Sequence, residues 1–242
     1  MNSKKIKPQL VKKINPRVGL IVLATDAMIE KDFLKVFNEI SADLYVNRIT
    51  NYNPVTAKNL KKMTNNITSV TENILPGEKL DCVVYGCTSG TIVSGYDNIK
   101  KKINLAKPDA LVTAPSTAVL NALKKKNINK ISIVTPYIKS VNDDVVNFFK
   151  NNNFEITSNT YFDIESDVDI GKVDQDQLFE ILSNLDHKNA EALFVSCTSL
   201  PVLNIIEKLE KKLGIMVFSS NQTLIWDTLK SIGVKNKIKG FG

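Results

Sequence analysis

A buried-strand pattern that runs into a cysteine is written twice in this chain, and that repeat limits the possible folds more than any other feature. The first copy is Val83-Val84-Tyr85-Gly86-Cys87-Thr88-Ser89-Gly90, and the second, nearly half the chain later, is Leu193-Phe194-Val195-Ser196-Cys197-Thr198-Ser199-Leu200. In each copy an apolar run too short for a helix ends on a thiol, and small hydroxyl residues follow where a helix is expected to start. The next unit repeats as well. A short strand leads into a polar-capped helix at Ala114-Pro115-Ser116-Thr117 and again at Ser219-Ser220-Asn221-Gln222.

Hydrophobic patterning fills in the remaining elements. Strands are predicted at 17–24, 43–49, 80–86 and 110–113, and again at 130–135, 154–162, 192–196 and 215–219. Helices are predicted over 27–40, 56–74, the stretch after Cys87 to about 103, 115–126, 140–151, 174–187, 201–212 and 221–231, with a polar loop at 163–171. Strictly alternating strands and helices imply parallel sheets with right-handed crossovers. The predicted fold is α/β. It has two similar Rossmann-like lobes, each with a four-stranded parallel sheet, related by a pseudo-two-fold axis with the active site in the cleft between them. The expected division is a basic tail at 1–16, a first lobe at 17–113 plus about 219–242, and a second lobe at 114–218. Ligands of such sheets bind outside the carboxyl ends of the strands, where both cysteines fall.

Composition excludes several classes. The net charge is +7, but the lysines sit in clusters such as Lys100-Lys101-Lys102 and Lys124-Lys125-Lys126 without interleaved aromatics, which make up 7% of the chain. That is the pattern of solvated helix ends, so neither nucleic acid nor a membrane is expected as a partner. No apolar run is long enough to span a bilayer. The basic start followed by apolar residues 18–24 is short for a signal peptide and reads as a tail before the first strand. Three widely spaced cysteines and one histidine fit neither a disulfide framework nor a zinc site, so no metal is expected and a reducing, cytoplasmic location is. His187 is expected at the surface, away from both cysteines, and Cys82, inside a strand, as a packing residue. No dinucleotide fingerprint or P-loop occurs.

Cys87 and Cys197 are therefore the candidate catalytic pair. A helix N-terminus behind each would favour thiolate over thiol, and the neighbouring N–H groups and hydroxyls of Thr88, Ser89, Thr198 and Ser199 would receive a carboxylate. One sulfur can take a proton from carbon while the other gives one, or one can add to a polarised double bond.

The chain resembles the aspartate/glutamate racemase superfamily in Gly86-Cys87-Thr88-Ser89-Gly90-Thr91, Thr135-Pro136-Tyr137, Ser196-Cys197-Thr198, Pro115-Ser116-Thr117-Ala118 and the opening Arg17-Val18-Gly19-Leu20-Ile21-Val22. Within it the resemblance is to the branch of maleate cis-trans isomerases and arylmalonate decarboxylases, and most to the EutA-type proteins of ectoine utilisation. That resemblance implies an enzyme without a cofactor, with Cys87 and Cys197 catalytic and Thr88, Ser89, Tyr137 and Thr198 holding a substrate carboxylate. The decarboxylase pattern has glycine at the first cysteine position, which Cys87 does not match. Where the maleate isomerase pattern carries two asparagines, this chain carries Asp26 and Asp167. Two carboxylates disfavour a dianion and suit a substrate ammonium or amide N–H. Without substrate contact, Asp26 is expected as a helix N-cap and Asp167 as a solvated loop residue. Arg48 is expected either to counter a carboxylate or to sit on the rim.

The expected activity is a two-cysteine racemase or epimerase acting on an amino acid or N-acyl amino acid. The alternatives are a maleate-type cis-trans isomerase with Cys87 as nucleophile, an arylmalonate-type decarboxylase, and a non-catalytic binding protein. A homo-oligomer is the expected assembly.

Overall fold

Two four-stranded parallel sheets carry the chain, and the same strand order recurs in both. The first sheet contains β1 (Arg17–Leu23), β2 (Asp43–Ile49), β3 (Cys82–Gly86) and β4 (Leu111–Thr113), in the order β2-β1-β3-β4. The second contains β5 (Lys130–Thr135), β6 (Glu155–Tyr161), β7 (Ala192–Val195) and β8 (Met216–Ser219), in the order β6-β5-β7-β8. Each order reverses direction beside its first strand, so the central pairs β1/β3 and β5/β7 bracket the point where a crevice opens at the strand ends. The fold thus has the α/β architecture and paired parallel sheets predicted from the repeat. It was built as a computed structural model that describes residues 3–10, 15–187, 189–235 and 238–242. Of the tail expected at 1–16, residues 3–10 are exposed and without helix or strand, whereas 1, 2 and 11–14 lie outside the described residues.

In the first half the helices are α1 (Ile29–Phe37), α2 (Ala57–Met63), α3 (Ile67–Glu72), α4 (Thr88–Ser94), α5 (Tyr96–Ala106) and α6 (Pro115–Lys125). The second half has α7 (Lys139–Asn151), α8 (Asp167–Ile170), α9 (Gln175–Asn184), α10 (Ile206–Leu213) and α11 (Ser220–Ser231). The central strands are apolar on both faces because helices cover both. Val18, Leu20, Val22, Cys82 and Val84 pack against Phe33 of α1 and Leu224 of α11, while Ile21, Val83 and Tyr85 face Met63, Ile67 and Ile99. Fully burying each large aliphatic side chain contributes about 1.5–3 kcal/mol. Cys82 is part of this packing, as expected.

α11 follows β8 of the second sheet yet packs on α6, α1, β3 and β4, so the last helix ties the second sheet to the first. A capping box starts it: Ser219 accepts the Gln222 N–H, and the Gln222 side chain returns to the Ser219 N–H.

Four helical expectations need correction, the first being the stretch after Cys87, which Gly95 at φ +80° breaks into α4 and α5. The predicted helix over 56–74 is interrupted by a 3-10 turn at Thr64–Asn66, where the Thr64 hydroxyl competes for the Lys61 carbonyl. The predicted loop at 163–171 contains α8. No helix starts directly after Cys197: residues 198–202 are irregular, a 3-10 turn covers Leu203–Ile205, and only then does α10 begin. Pro201 explains the delay, because a proline disfavours α conformation in the residue before it.

Candidate active site

Cys87 and Cys197 leave equivalent strands by different routes. β3 delivers Cys87 to the N-cap of α4, where its sulfur accepts the Gly90 N–H at 3.2 Å and lies 3.9 Å from the Ser89 hydroxyl. Cys197 follows β7 with φ +104°, a region that non-glycine residues rarely occupy and that stores strain at functional positions. Its N–H is held by the Ser220 hydroxyl at 3.0 Å, and the same oxygen accepts the Thr88 hydroxyl at 2.8 Å. One serine in the first turn of α11 therefore links the two cysteine loops. Beside it, the Asn221 amide donates to the Thr198 carbonyl at 2.8 Å and to Asp32 at 2.9 Å.

Both thiols line one cavity with Thr88, Ser89, Tyr137, Asp167 and Thr198. Seven of the eight residues predicted for the site thus meet, and Asp26 is not among those lining it. The cavity is closed down to about 20 Å³, room for little more than one water. Its cover runs from the end of β2 into α2 and contributes Asn51, Tyr52, Val55, Asn59, Leu60 and Met63. With the cover in this position the cavity has no room for an organic acid. Two backbone groups latch it to the second half: Val55 N–H donates to the Glu165 carbonyl at 3.0 Å, and Asp167 N–H to the Asn53 side chain at 3.3 Å. Sequence reading missed the cover. The signal was available, because Asn51-Tyr52-Asn53-Pro54 follows the carboxyl end of a parallel strand. A wider groove of about 650 Å³, lined in part by Lys125, Lys126, Glu210 and Trp226, shares no residue with the cysteine cavity.

The two aspartates take different places. Asp167 is buried rather than solvated, and its oxygens accept the Thr25 hydroxyl at 2.6 Å and the Ser199 hydroxyl at 2.8 Å. Asp26 does not stand at the N-cap of α1, which is Met28, but two residues before it, where one oxygen accepts the N–H groups of Met28 at 2.7 Å and Ile29 at 3.0 Å and closes the turn into the helix. Its other oxygen is buried and makes no hydrogen bond of normal length, although the Thr198 hydroxyl bears on the carboxyl and lowers its pKa slightly. Burial raises the Asp26 pKa to about 6, opposed by the Ile29 N–H and reinforced by the charge of Asp167. Arg48 does not reach the cavity. It binds the carbonyls of Leu23 and Asp26 and pairs with Glu30 at 2.6 Å, so its rim position is the one observed. His187 is half-buried and structural, bonded through one ring nitrogen to Ser132 and through the other to the Leu182 carbonyl, each at 2.8 Å.

The expectation of depressed thiol pKa values is overturned for the closed site. Burial pushes Cys87 up to about 12. The Gly90 N–H opposes the shift, and the charges of Asp167 and Asp26 add to it. Cys197 is raised well above its ordinary value, first by burial and then by Asp167 and Asp26; the Ser199 N–H and the Tyr137 hydroxyl pull it back only in part. A seven-residue helix behind Cys87, and none directly behind Cys197, do not outweigh the loss of water. Both sulfurs are therefore thiols while the cover is shut. Alkylation by iodoacetamide at pH 7 is expected to be at least about tenfold slower for Cys87 and Cys197 than for a free cysteine. Peptide-resolved mass spectrometry reads this directly, and rates equal to those of free cysteine would show that the cover is open in solution.

Among the described residues no group of histidine, cysteine and acidic side chains is arranged to hold a metal, and no helix is long and apolar enough to cross a membrane. The sequence model of the family described as arylmalonate decarboxylase matches residues 89–242. The maleate isomerase of Geobacillus stearothermophilus is 25% identical over 241 residues, 93% of this chain and 95% of that protein. A cysteine-to-alanine variant of the Pseudomonas putida S16 maleate isomerase, solved with maleate, superposes with a TM-score of 0.86 at 18% identity, covering 95% of this chain and 96% of that one. A cysteine-to-serine variant of the Nocardia farcinica maleate cis-trans isomerase, solved with a covalently bound succinylcysteine intermediate, superposes with a TM-score of 0.82 at 19% identity, covering 90% and 92%. With well over half of its length matched by the family model, the chain belongs to the arylmalonate decarboxylase family.

Proposed function

We propose that this protein is a cofactor-independent isomerase of a small carboxylic acid, and that its reaction is a cis-trans isomerisation of the maleate type. The observation that carries the reading is two free thiols, on equivalent strands of two equivalent sheets, lining one cavity. Similarity over nearly the full length to a maleate isomerase supports the reaction class. Cys87 also speaks against decarboxylation, since the decarboxylase pattern has glycine there.

In the proposed mechanism, withdrawal of the cover hydrates Cys87 and lets it ionise near the ordinary cysteine value of about 8.5. The thiolate adds to one alkene carbon, forming a C–S bond, and the displaced electron pair moves into the adjacent carboxylate. Ser89, Tyr137 and the N–H groups around Thr88 and Thr198 stabilise that charge. Cys197 protonates the neighbouring carbon, leaving a saturated thioether that rotates about a single bond. Cys197 then takes the proton back, the C–S bond breaks, and the trans alkene leaves. The covalent succinylcysteine in the Nocardia relative is the kind of intermediate this sequence requires.

One observation favours the racemase reading as the second. The cavity contains Asp167, lies near enough to Asp26 for that charge to act on both sulfurs, and has no lysine or arginine among its lining residues. A dianion is poorly matched to such a site, whereas an amino acid or N-acyl amino acid brings an ammonium or N–H for the carboxylates. Cys87 and Cys197 would then exchange a proton on opposite faces of the α-carbon. The Ala24-Thr25-Asp26 opening, which resembles EutA-type proteins, points the same way. We further infer a cytoplasmic enzyme, from its three free cysteines, and a homo-oligomer.

Proton NMR in D₂O with maleate, aspartate, glutamate, diaminobutyrate and its N-acetyl forms separates the readings. Conversion of maleate to fumarate is the expected result. Deuterium entering an α-position with maleate untouched replaces it with racemisation. Tight binding with no exchange in any compound would mark a non-catalytic binding protein.

A further inference from the structure

We propose that Tyr85 is a positioning residue for Cys87, its hydroxyl held without a partner so that it can donate to the sulfur when that sulfur carries charge. The inference rests on Cys87 being the reactive thiol.

Tyr85 lies on β3 two residues before Cys87, and both side chains are buried in the same cluster. The ring is fully buried, yet its hydroxyl has no hydrogen-bond partner among the described residues. A phenylalanine would fill the same space without burying an unpaired donor, so packing alone does not account for the oxygen. Tyr96, by contrast, places its hydroxyl on the Val112 carbonyl at 2.8 Å.

Gly90 shows what the hydroxyl faces. A Cβ at that position would stand 2.8 Å from the Cys87 sulfur, 3.1 Å from the Tyr85 oxygen and 3.2 Å from the terminal methyl of Met63. Sulfur and phenol therefore border one space, about the size of a methyl group, kept open by a glycine inside α4, where alanine would favour the helix more. In the closed site the sulfur is a thiol, a weak acceptor already engaged by the Gly90 N–H. A thiolate accepts several donors at once, and the phenol is the unengaged donor beside it. Burial and the neighbouring Cys87 both raise the phenol's own pKa, so it keeps the proton it would donate.

The other titratable groups that act on Cys87 come from three directions. Tyr137 and Cys197 share its cavity, Asp167 enters from α8, and Asp26 acts from the turn before α1. Both carboxylates oppose a negative sulfur, which leaves a neutral donor such as Tyr85 to favour it.

The test is the pH dependence of Cys87 alkylation, read by peptide mass spectrometry without substrate, in the wild type, Tyr85→Phe and Gly90→Ala. Tyr85→Phe is expected to fold with an unchanged or higher thermal midpoint, because the atom it removes has no partner. Its half-maximal alkylation pH is expected to rise by roughly one unit. Turnover is expected to fall about tenfold with KM held. Gly90→Ala fills the shared space and is expected to raise the same midpoint. An unmoved Cys87 profile in Tyr85→Phe, with turnover at the wild-type level, would overturn the assignment, as would a shift in Gly90→Ala alone. Full turnover by Cys87→Ser would instead remove the proposed function, and the alkylation profile would still decide the role of Tyr85.

Discussion

Cys87→Ser and Cys197→Ser are each expected to reduce turnover by about 10³-fold or more while leaving the fold intact. Serine matches the shape of cysteine, and neither sulfur carries a contact on which the fold depends: Cys87 accepts one N–H in the cap of α4, which a hydroxyl also accepts. What is lost is chemical. A serine hydroxyl neither ionises near neutral pH nor adds readily to an alkene. The two variants are expected to fail differently. With Cys197 replaced, the thiolate at Cys87 still adds to substrate but the proton is poorly handled, so an adduct should accumulate on the Cys87 peptide with the mass of one substrate molecule. With Cys87 replaced, no adduct forms. If racemisation is the reaction, neither variant should form an adduct, and each should lose one direction of α-proton exchange more than the other. The double variant should be little worse than either single one, because the pair acts as a unit. Intact-protein mass spectrometry beside the NMR assay reads both outcomes, and retention of more than about a tenth of the activity by either variant would remove that cysteine from the mechanism.

The part of this site that could be read from residues is the part that repeats. Apolar runs ending in Cys-Thr-Ser, written twice, located both sulfurs and both sheets, because strand length and buried patterning are local properties. The electrostatics of the sulfurs could not be read that way. A helix N-terminus lowers a thiol pKa only if water or other donors remain, and the cover that removes the water comes from residues 51–63, distant in sequence from both cysteines. Asp167 illustrates the same limit. Beside Ser166 and Val168 it reads as a polar loop residue; in the fold it receives one hydroxyl from Thr25 of the first half and one from Ser199 of the second. Ser220 and Asn221 looked like ordinary first-turn residues of the closing helix. Their hold on the Cys197–Thr198 backbone exists only because α11 crosses to the other sheet.

Asp26→Asn is expected to stabilise the protein at neutral pH, and the sign follows from where the carboxyl loses its proton. In the unfolded chain Asp26 ionises near its ordinary 3.8, and in the fold near 6, chiefly because it is buried. Between those values the folded state holds a proton that the unfolded state has released, so stability falls as pH rises through this window. Above it the full penalty remains, about 3 kcal/mol for a shift of this size. Asparagine keeps a carbonyl oxygen to accept the Met28 and Ile29 N–H groups at the start of α1, and it carries no charge to bury. Its amide leaves a buried N–H in place of the second oxygen, which offsets part of the gain and leaves about 1–2 kcal/mol at pH 8. At pH 3.5 wild-type Asp26 is largely protonated in both states, so the charge penalty is gone, only the cost of the buried amide remains, and the variant should be about 1–2 kcal/mol less stable than the wild type. Urea unfolding at the two pH values measures it. Equal stability at pH 8 would mean that the carboxylate has a partner in solution, and an advantage that persists at pH 3.5 would trace to packing rather than charge. The Asp26 charge acts on both sulfurs, so the same variant should lower the pH at which Cys87 and Cys197 are alkylated and should bind maleate more tightly than the wild type does. Weaker maleate binding by Asp26→Asn would show that the negative charge near this cavity does not select against a dianion.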